Sequence, residues 1–255
     1  MPTRSTSRDQ RAFTRRDLLV VFFVIAATVA ICLPSFVRTG DRAMRLSCIA
    51  NLKRVSIGFR LFAEDAGGYP FDILSRPTNA IPGLTPFSTN APGELWKLFQ
   101  AAGDNYIAQP GLLLCPSDWS RTQAKSFGTN GGVGEFAHQN SRLNALSYFL
   151  SIDADESHPQ NIMAGDRYLI TDPETYWEGN TRFLVGQQDL GSKSPTAKSA
   201  RWISTIHKGG GIAVFMDGGA RQLSTEKLRE SLTAQSIGTN RIRLPNTDST
   251  GRGNP

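Results

Sequence analysis

Residues 18–37 read LLVVFFVIAATVAICLPSFV, twenty consecutive positions without a charged side chain. As a helix rising about 1.5 Å per residue, such a run reaches roughly 30 Å, the hydrocarbon thickness of a bilayer. No other window of the 255-residue chain is comparably apolar. Upstream, Arg4, Arg8, Arg11, Arg15 and Arg16 make the N-terminal arm basic, a bias that keeps such an arm cytoplasmic and sends the rest across. The expectation is one transmembrane helix in contact with membrane lipid, set in the inner (cytoplasmic) membrane with a cytoplasmic N-terminus. The remainder is then an exported, periplasmic or extracytoplasmic head.

Downstream of the apolar run, Leu46, Ile49, Leu52, Val55, Phe59 and Phe62 recur every three or four residues, the signature of one apolar helix face. Arg42, Arg45, Lys53, Arg54 and Arg60 occupy mostly the other positions. Gly67-Gly68 with Pro70 just beyond should end this helix, and Pro34 and Gly40 should bend it. The chain then divides into a basic leader (1–12), a transmembrane and stalk helix (13–66), a head (67–237) and a polar, disordered tail (238–255). Within the head, Tyr69 to Pro92 reads as an irregular loop and Gly93 to Ala102 as a short helix. Five short apolar runs separated by turn residues follow, at residues 112–114, 147–150, 168–170, 202–206 and 212–216, which predicts an antiparallel sheet. Residues 118–140 and 186–200 are polar enough to be loops, and Ser224 should cap a last helix with Leu228 and Leu232 inward. The fold class is α+β: a long helix, half transmembrane and half amphipathic, packed on a small antiparallel sheet with long loops.

Composition narrows the function. The net charge is +6, from 28 Lys and Arg against 22 Asp and Glu, but the basic residues are dispersed, so no nucleic-acid partner is expected. Three cysteines without C-x-x-C spacing define neither a disulfide scaffold nor a zinc module. The chain has no Gly-rich phosphate loop, no nucleophile elbow and no H-E-x-x-H. It reads as a non-enzyme without cofactor.

Ala12-Phe13-Thr14 followed by Asp17-Leu18-Leu19 resembles the processing site of type IV prepilins and type II secretion pseudopilins. Counted from Phe13, Asp17 is the fifth residue, where that family carries its acid. The head adds Cys115-Pro116-Ser117-Asp118, Asn144-Ala145-Leu146-Ser147-Tyr148 and Gly165-Asp166-Arg167. Last comes His207 followed, after nine residues, by Asp217-Gly218. With Cys48, Asn51-Leu52-Lys53 and Gly68-Tyr69-Pro70, these resemble a pseudopilin-like family whose head ends in an H-x9-DG motif. The resemblance implies a pilin-like fold and a structural subunit of a type II secretion or type IV pilus-like system. It further implies cleavage between Ala12 and Phe13 and methylation by a prepilin peptidase, Asp17 as the assembly acid, and sister pseudopilins as partners.

Two other readings compete. Arg15-Arg16 directly before the apolar run suits a twin-arginine signal, which would deliver an enzyme using His207, Asp217 and Asp166. Alternatively the chain is a tethered binding module that never polymerises. For Asp17, a helix-capping acid competes with the assembly role. His207 and Asp217 either fix turns by hydrogen bonding or, with Asp166, hold a cation through mainly oxygen ligands. Trp202 to Ile206 and Ile212 to Met216 should form one hairpin, with Asp217-Gly218-Gly219 turning into the next strand. Cys32 lies within the apolar run, and a Cys48–Cys115 bridge, if made, ties stalk to head and adds about 2–4 kcal/mol.

Overall fold

A computed structural model of the chain describes residues 14–75, 94–128, 130–170, 187–203 and 207–245, with 33–39 and 75 described through their backbone alone. It divides into two compact units, Met1–Ala43 and Met44–Pro255. Helix α1 runs over Arg15–Ala66. At its start Thr14 N–H donates to Asp17 Oδ2 (3.0 Å) while Asp17 N–H donates to Thr14 Oγ1 (3.4 Å), a reciprocal cap that satisfies donors the helix cannot. At its end Gly67 takes φ +75° and donates to the Ala63 carbonyl at 3.0 Å, as left-handed C-caps do. The backbone stays helical through Pro34 and Gly40, where bends were expected.

In the first unit the large apolar side chains described on α1 are exposed, from Leu18 at 67% through Phe23 at 74% to Ile31 at 76%. Here the transmembrane expectation is corrected. Among the described residues no helix is long and apolar enough to cross a membrane. The transmembrane half of the expected fold, and the single-pass inner-membrane placement built on it, fall with that finding.

The second unit mixes helices with antiparallel sheet. Its strands are β1 (Tyr148–Ser151), β2 (Ile162–Asp166), β3 (Leu169–Ile170), β4 (Gln187–Asp189), β5 (Arg201–Trp202), β6 (Gly210–Phe215), β7 (Ala220–Ser224) and β8 (Arg241–Arg243). Among the described residues they form a six-stranded antiparallel sheet in the order β4-β8-β1-β2-β6-β7 and a β3–β5 pair. Helices α2 (Pro70–Ser75), α3 (Leu95–Ala101), α4 (Pro195–Ser199) and α5 (Thr225–Thr233) also belong to this unit, as does α1 from Met44 onward. Side chains alternate across the sheet. Tyr148, Leu150, Ile212 and Val214 join Cys48, Leu52, Val55 and Phe59 of α1 in one core. Phe149, Ala213 and Phe215 join Leu228 and Leu232 of α5 in a second core on the other face. The register of β2 slips between Ile162 and Ala164, and this bulge sends Met163 and Ala164 together to the α1 side.

Double burial explains where the expected strands differ. β6 is buried at every position, so it shows a continuous apolar run rather than alternation. Among the described residues β5 pairs with β3 and the hairpin is β6–β7; residues 204–206 of the expected Trp202–Ile206 strand lie outside them. Gln187–Asp189, within the expected loop, and Arg241–Arg243, within the expected polar tail, are paired strands. Leu112 and Leu113 lie in a 3₁₀ turn over Pro110–Leu113. Ser224 caps α5, accepting from Lys227 N–H at 3.3 Å, with Leu228 and Leu232 buried as anticipated.

Candidate functional site

Cys48 sits on the buried stripe of α1, fully enclosed. One turn on, Asn51 Nδ2 donates to the Leu114 carbonyl at 3.0 Å, and Ser147 N–H donates to the Leu113 carbonyl at 2.9 Å. These bonds hold the segment entering Cys115 between α1 and β1, and a Cys48–Cys115 disulfide closes there with a Cα–Cα distance of 4.8 Å. Pro116 lies in the turn that follows, closed by Asp118 N–H on the Cys115 carbonyl at 2.8 Å.

Against this bridge stands His207. Its Nε2 lies 3.3 Å from Cys115 Sγ and 3.5 Å from Asp166 Oδ2. Asp166 ends β2, and its Oδ2 accepts Ile212 N–H from neighbouring β6 at 2.7 Å; its Oδ1 is buried with no hydrogen-bond partner. His207 (φ +53°), Lys208 (+57°) and Gly209 (+85°) form a left-handed run into β6. For a residue with a Cβ this conformation costs on the order of 1–2 kcal/mol. The strain is sustained by tight packing: the imidazole is 1% exposed and the Asp166 carboxyl 3%.

Burial governs the charges. It pushes the His207 imidazole down to about 4, and the Arg45 cation on α1 acts in the same direction. It raises the Asp166 carboxyl to about 7, which the Ile212 N–H opposes, the Asp118 carboxylate reinforces and the Arg167 cation opposes. The histidine and the aspartic acid are therefore both neutral in mildly acidic water and do not form an ion pair. The enclosed Tyr148 phenol is held well above its usual range by burial and by the Asp166 and Asp118 carboxylates.

Behind this group, Arg167 grips Asp118 with two bonds, Nε to Oδ2 at 2.8 Å and Nη2 to Oδ1 at 3.1 Å. Tyr168 Oη and Ser120 Oγ donate to Oδ1 at 2.8 and 2.9 Å. Burial alone would raise the Asp118 carboxyl, but Arg167, Tyr168 and Ser120 together hold it below the usual carboxylate range. The Arg167 guanidinium also lies over the Tyr168 ring, 4.0 Å from its centroid.

The structure thus gathers Cys48, Cys115, Asp166 and His207, with Asp118 and Arg167 adjoining, and leaves Asp217-Gly218 apart. The reason is length: His207 precedes and Asp217 follows β6, six residues or roughly 20 Å of strand. Asp217 instead fixes the β6–β7 turn, its Oδ1 accepting Gly219 N–H at 2.6 Å while Gly218 takes φ +80°. Ala12 and Phe13 lie outside the described residues, and Asp17 is engaged in capping α1. Sequence reasoning missed Arg45 and the enclosed Tyr148 as parts of this centre. Arg45, Cys48 and Asn51 recur at three-residue spacing, which on a helix places them on one side, so the signal was there for Arg45.

Chemically, the ligand atoms of Cys48, Cys115 and His207 lie within 4.8 Å of one another. The group is a buried tie between α1 and the sheet, with the His207 nitrogen set against Cys115 Sγ and the Asp166 carboxyl set against that nitrogen. Compared with known proteins, the chain matches no family model, no curated protein and no solved structure.

Proposed function

We propose that this chain is a non-enzymatic structural subunit of pseudopilin type, for a type II secretion or pilus-like system. In this reading a prepilin peptidase cleaves before Phe13, and sister pseudopilins pack through the first part of α1. The observation that carries it is the exposure of Leu18, Leu19, Phe22, Phe23, Ile25 and Ile31, each at 57–76%. Contiguous exposed apolar surface of this kind marks an interaction site, and like helices presenting like faces can cover one another. Asp17 is positioned to serve such an assembly as well as its own helix, since it lies at the very start of α1. The Cys48–Cys115 bridge suits the reading too: it ties α1 to the sheet domain that each subunit would carry.

The test uses the native Cys32, exposed and outside the bridge. Oxidative crosslinking of the full chain should yield Cys32-linked dimers, and sedimentation should show concentration-dependent assembly. Phe22→Asp with Phe23→Asp should abolish both. A wild-type chain that stays monomeric at every concentration rules out the assembly, and a mature protein that retains Met1 by mass spectrometry rules out the processing.

A further inference from the structure

We propose that Cys48, Cys115, His207 and Asp166 form a tetrahedral site for a thiolate-binding divalent cation, typified by Zn²⁺, which fills when the disulfide is reduced. The spacing is the first argument. With Zn–N and Zn–O near 2.0–2.1 Å and Zn–S near 2.3 Å, tetrahedral edges are about 3.6 Å for N···S and about 3.4 Å for N···O. His207 Nε2 lies 3.3 Å from Cys115 Sγ and 3.5 Å from Asp166 Oδ2. Of the six edges of such a tetrahedron, these two are thus close to the required lengths, and the sulfur–sulfur edge, collapsed by the covalent bond, opens on reduction.

The donor set is the second argument. Two thiolates and an imidazole suit Zn²⁺, and a carboxylate completes a four-coordinate shell. The Ile212 N–H on Oδ2 orients the carboxylate as outer partners of metal ligands do.

The chemistry balances simply. A dithiol or phosphine reductant supplies two electrons, the S–S bond breaks, and two protons from water or the reductant give two thiols. Cation binding then releases both thiol protons, together with the Asp166 carboxyl proton where that acid is neutral, as two sulfur–metal bonds and one oxygen–metal bond form. The same junction between α1 and the sheet is thereby held by a covalent bond under oxidising conditions and by a metal under reducing ones. This inference is independent of the assembly reading, because it concerns only the second unit.

Co²⁺ is the probe, since tetrahedral thiolate coordination gives it intense visible bands and a sulfur-to-metal charge-transfer band. Full chain reduced with a phosphine under anaerobic conditions should bind one equivalent with both signatures, Zn²⁺ should displace it, and the oxidised chain should bind none. His207→Gln and Asp166→Asn retain the bridge, so their fold can be verified oxidised by near-ultraviolet circular dichroism. Once reduced, each should bind Co²⁺ at least tenfold more weakly. Three results overturn the proposal: no charge-transfer band in the reduced chain, undiminished binding in His207→Gln, or a reduced chain that loses its tertiary structure and does not regain it with one equivalent of metal.

Discussion

His207 and Asp166 face each other across 3.5 Å, yet each owes its shift chiefly to burial, joined by the Arg45 cation for the imidazole and by the Asp118 carboxylate for the carboxyl, where Ile212 N–H and Arg167 pull the other way. Their pH effects therefore oppose. Asp166 has its folded value raised from 3.8 to about 7, so the native state holds the extra proton and stability falls as pH rises from about 4 to about 7. His207 has its folded value lowered from 6.5 to about 4, so the unfolded state holds the proton and stability rises over about 4 to 6.5. Each contributes up to about 1.4 kcal/mol per pH unit. In the oxidised chain the two slopes should nearly cancel between pH 4 and 6.5. Urea midpoints measured across that window should rise with pH in Asp166→Asn, which keeps only the histidine, and fall in His207→Gln. Parallel profiles in both variants would contradict the assignment. The residues themselves were legible from the sequence as a His and two Asp. Which Asp joins the His was not legible, because that depends on β2 lying beside β6.

At the scale of an element, α1 carries two glycines whose surroundings differ. A Cβ at Gly40 would meet nothing within 4 Å, whereas at Gly58 it would come within 2.9 Å of Ile107 Cγ1 and 3.0 Å of the Tyr106 carbonyl. Alanine favours a helix interior by about 1 kcal/mol over glycine. Gly40→Ala should therefore strengthen α1 by roughly that amount, read as increased helicity on warming. Gly58→Ala should do the reverse, because a backbone carbonyl cannot swing aside and overpacking costs about 1–3 kcal/mol. Gly58 is where α1 meets the π-helical turn Gly103–Ile107, and nothing in the helical periodicity distinguishes it from Gly40. The ends of α1 were readable locally: Gly67 gives the C-cap and Thr14 with Asp17 the N-cap, since both are interactions within four residues. Leu46, grouped by spacing with the buried stripe, is 65% exposed, because the face that packs is decided by where the sheet and Cys115 lie.

For the whole molecule, the bridge closes a sequence separation of 67 residues, and the loop-entropy relation gives about 4 kcal/mol for such a tie. Cys48→Ala with Cys115→Ala, in the absence of metal, should lower unfolding stability by that amount in urea titrations. An unchanged midpoint would mean that the bridge does not constrain the unfolded chain. Sequence alone determined what is local or periodic: a long helix, expected over residues 13–66 and found over Arg15–Ala66, its stop at Gly67, the Ser224-capped α5, and an antiparallel sheet from short runs punctuated by turns. These follow from hydrogen bonds and side-chain spacing along one stretch of chain. Tertiary structure decided the pairing of β5 with β3, the recruitment of Gln187–Asp189 and Arg241–Arg243 into the sheet, and the meeting of His207 with the Cys48–Cys115 bridge and with Asp166. Those contacts join segments far apart in sequence, and their free energy comes from burying the sheet on both faces at once, a quantity that no single segment carries.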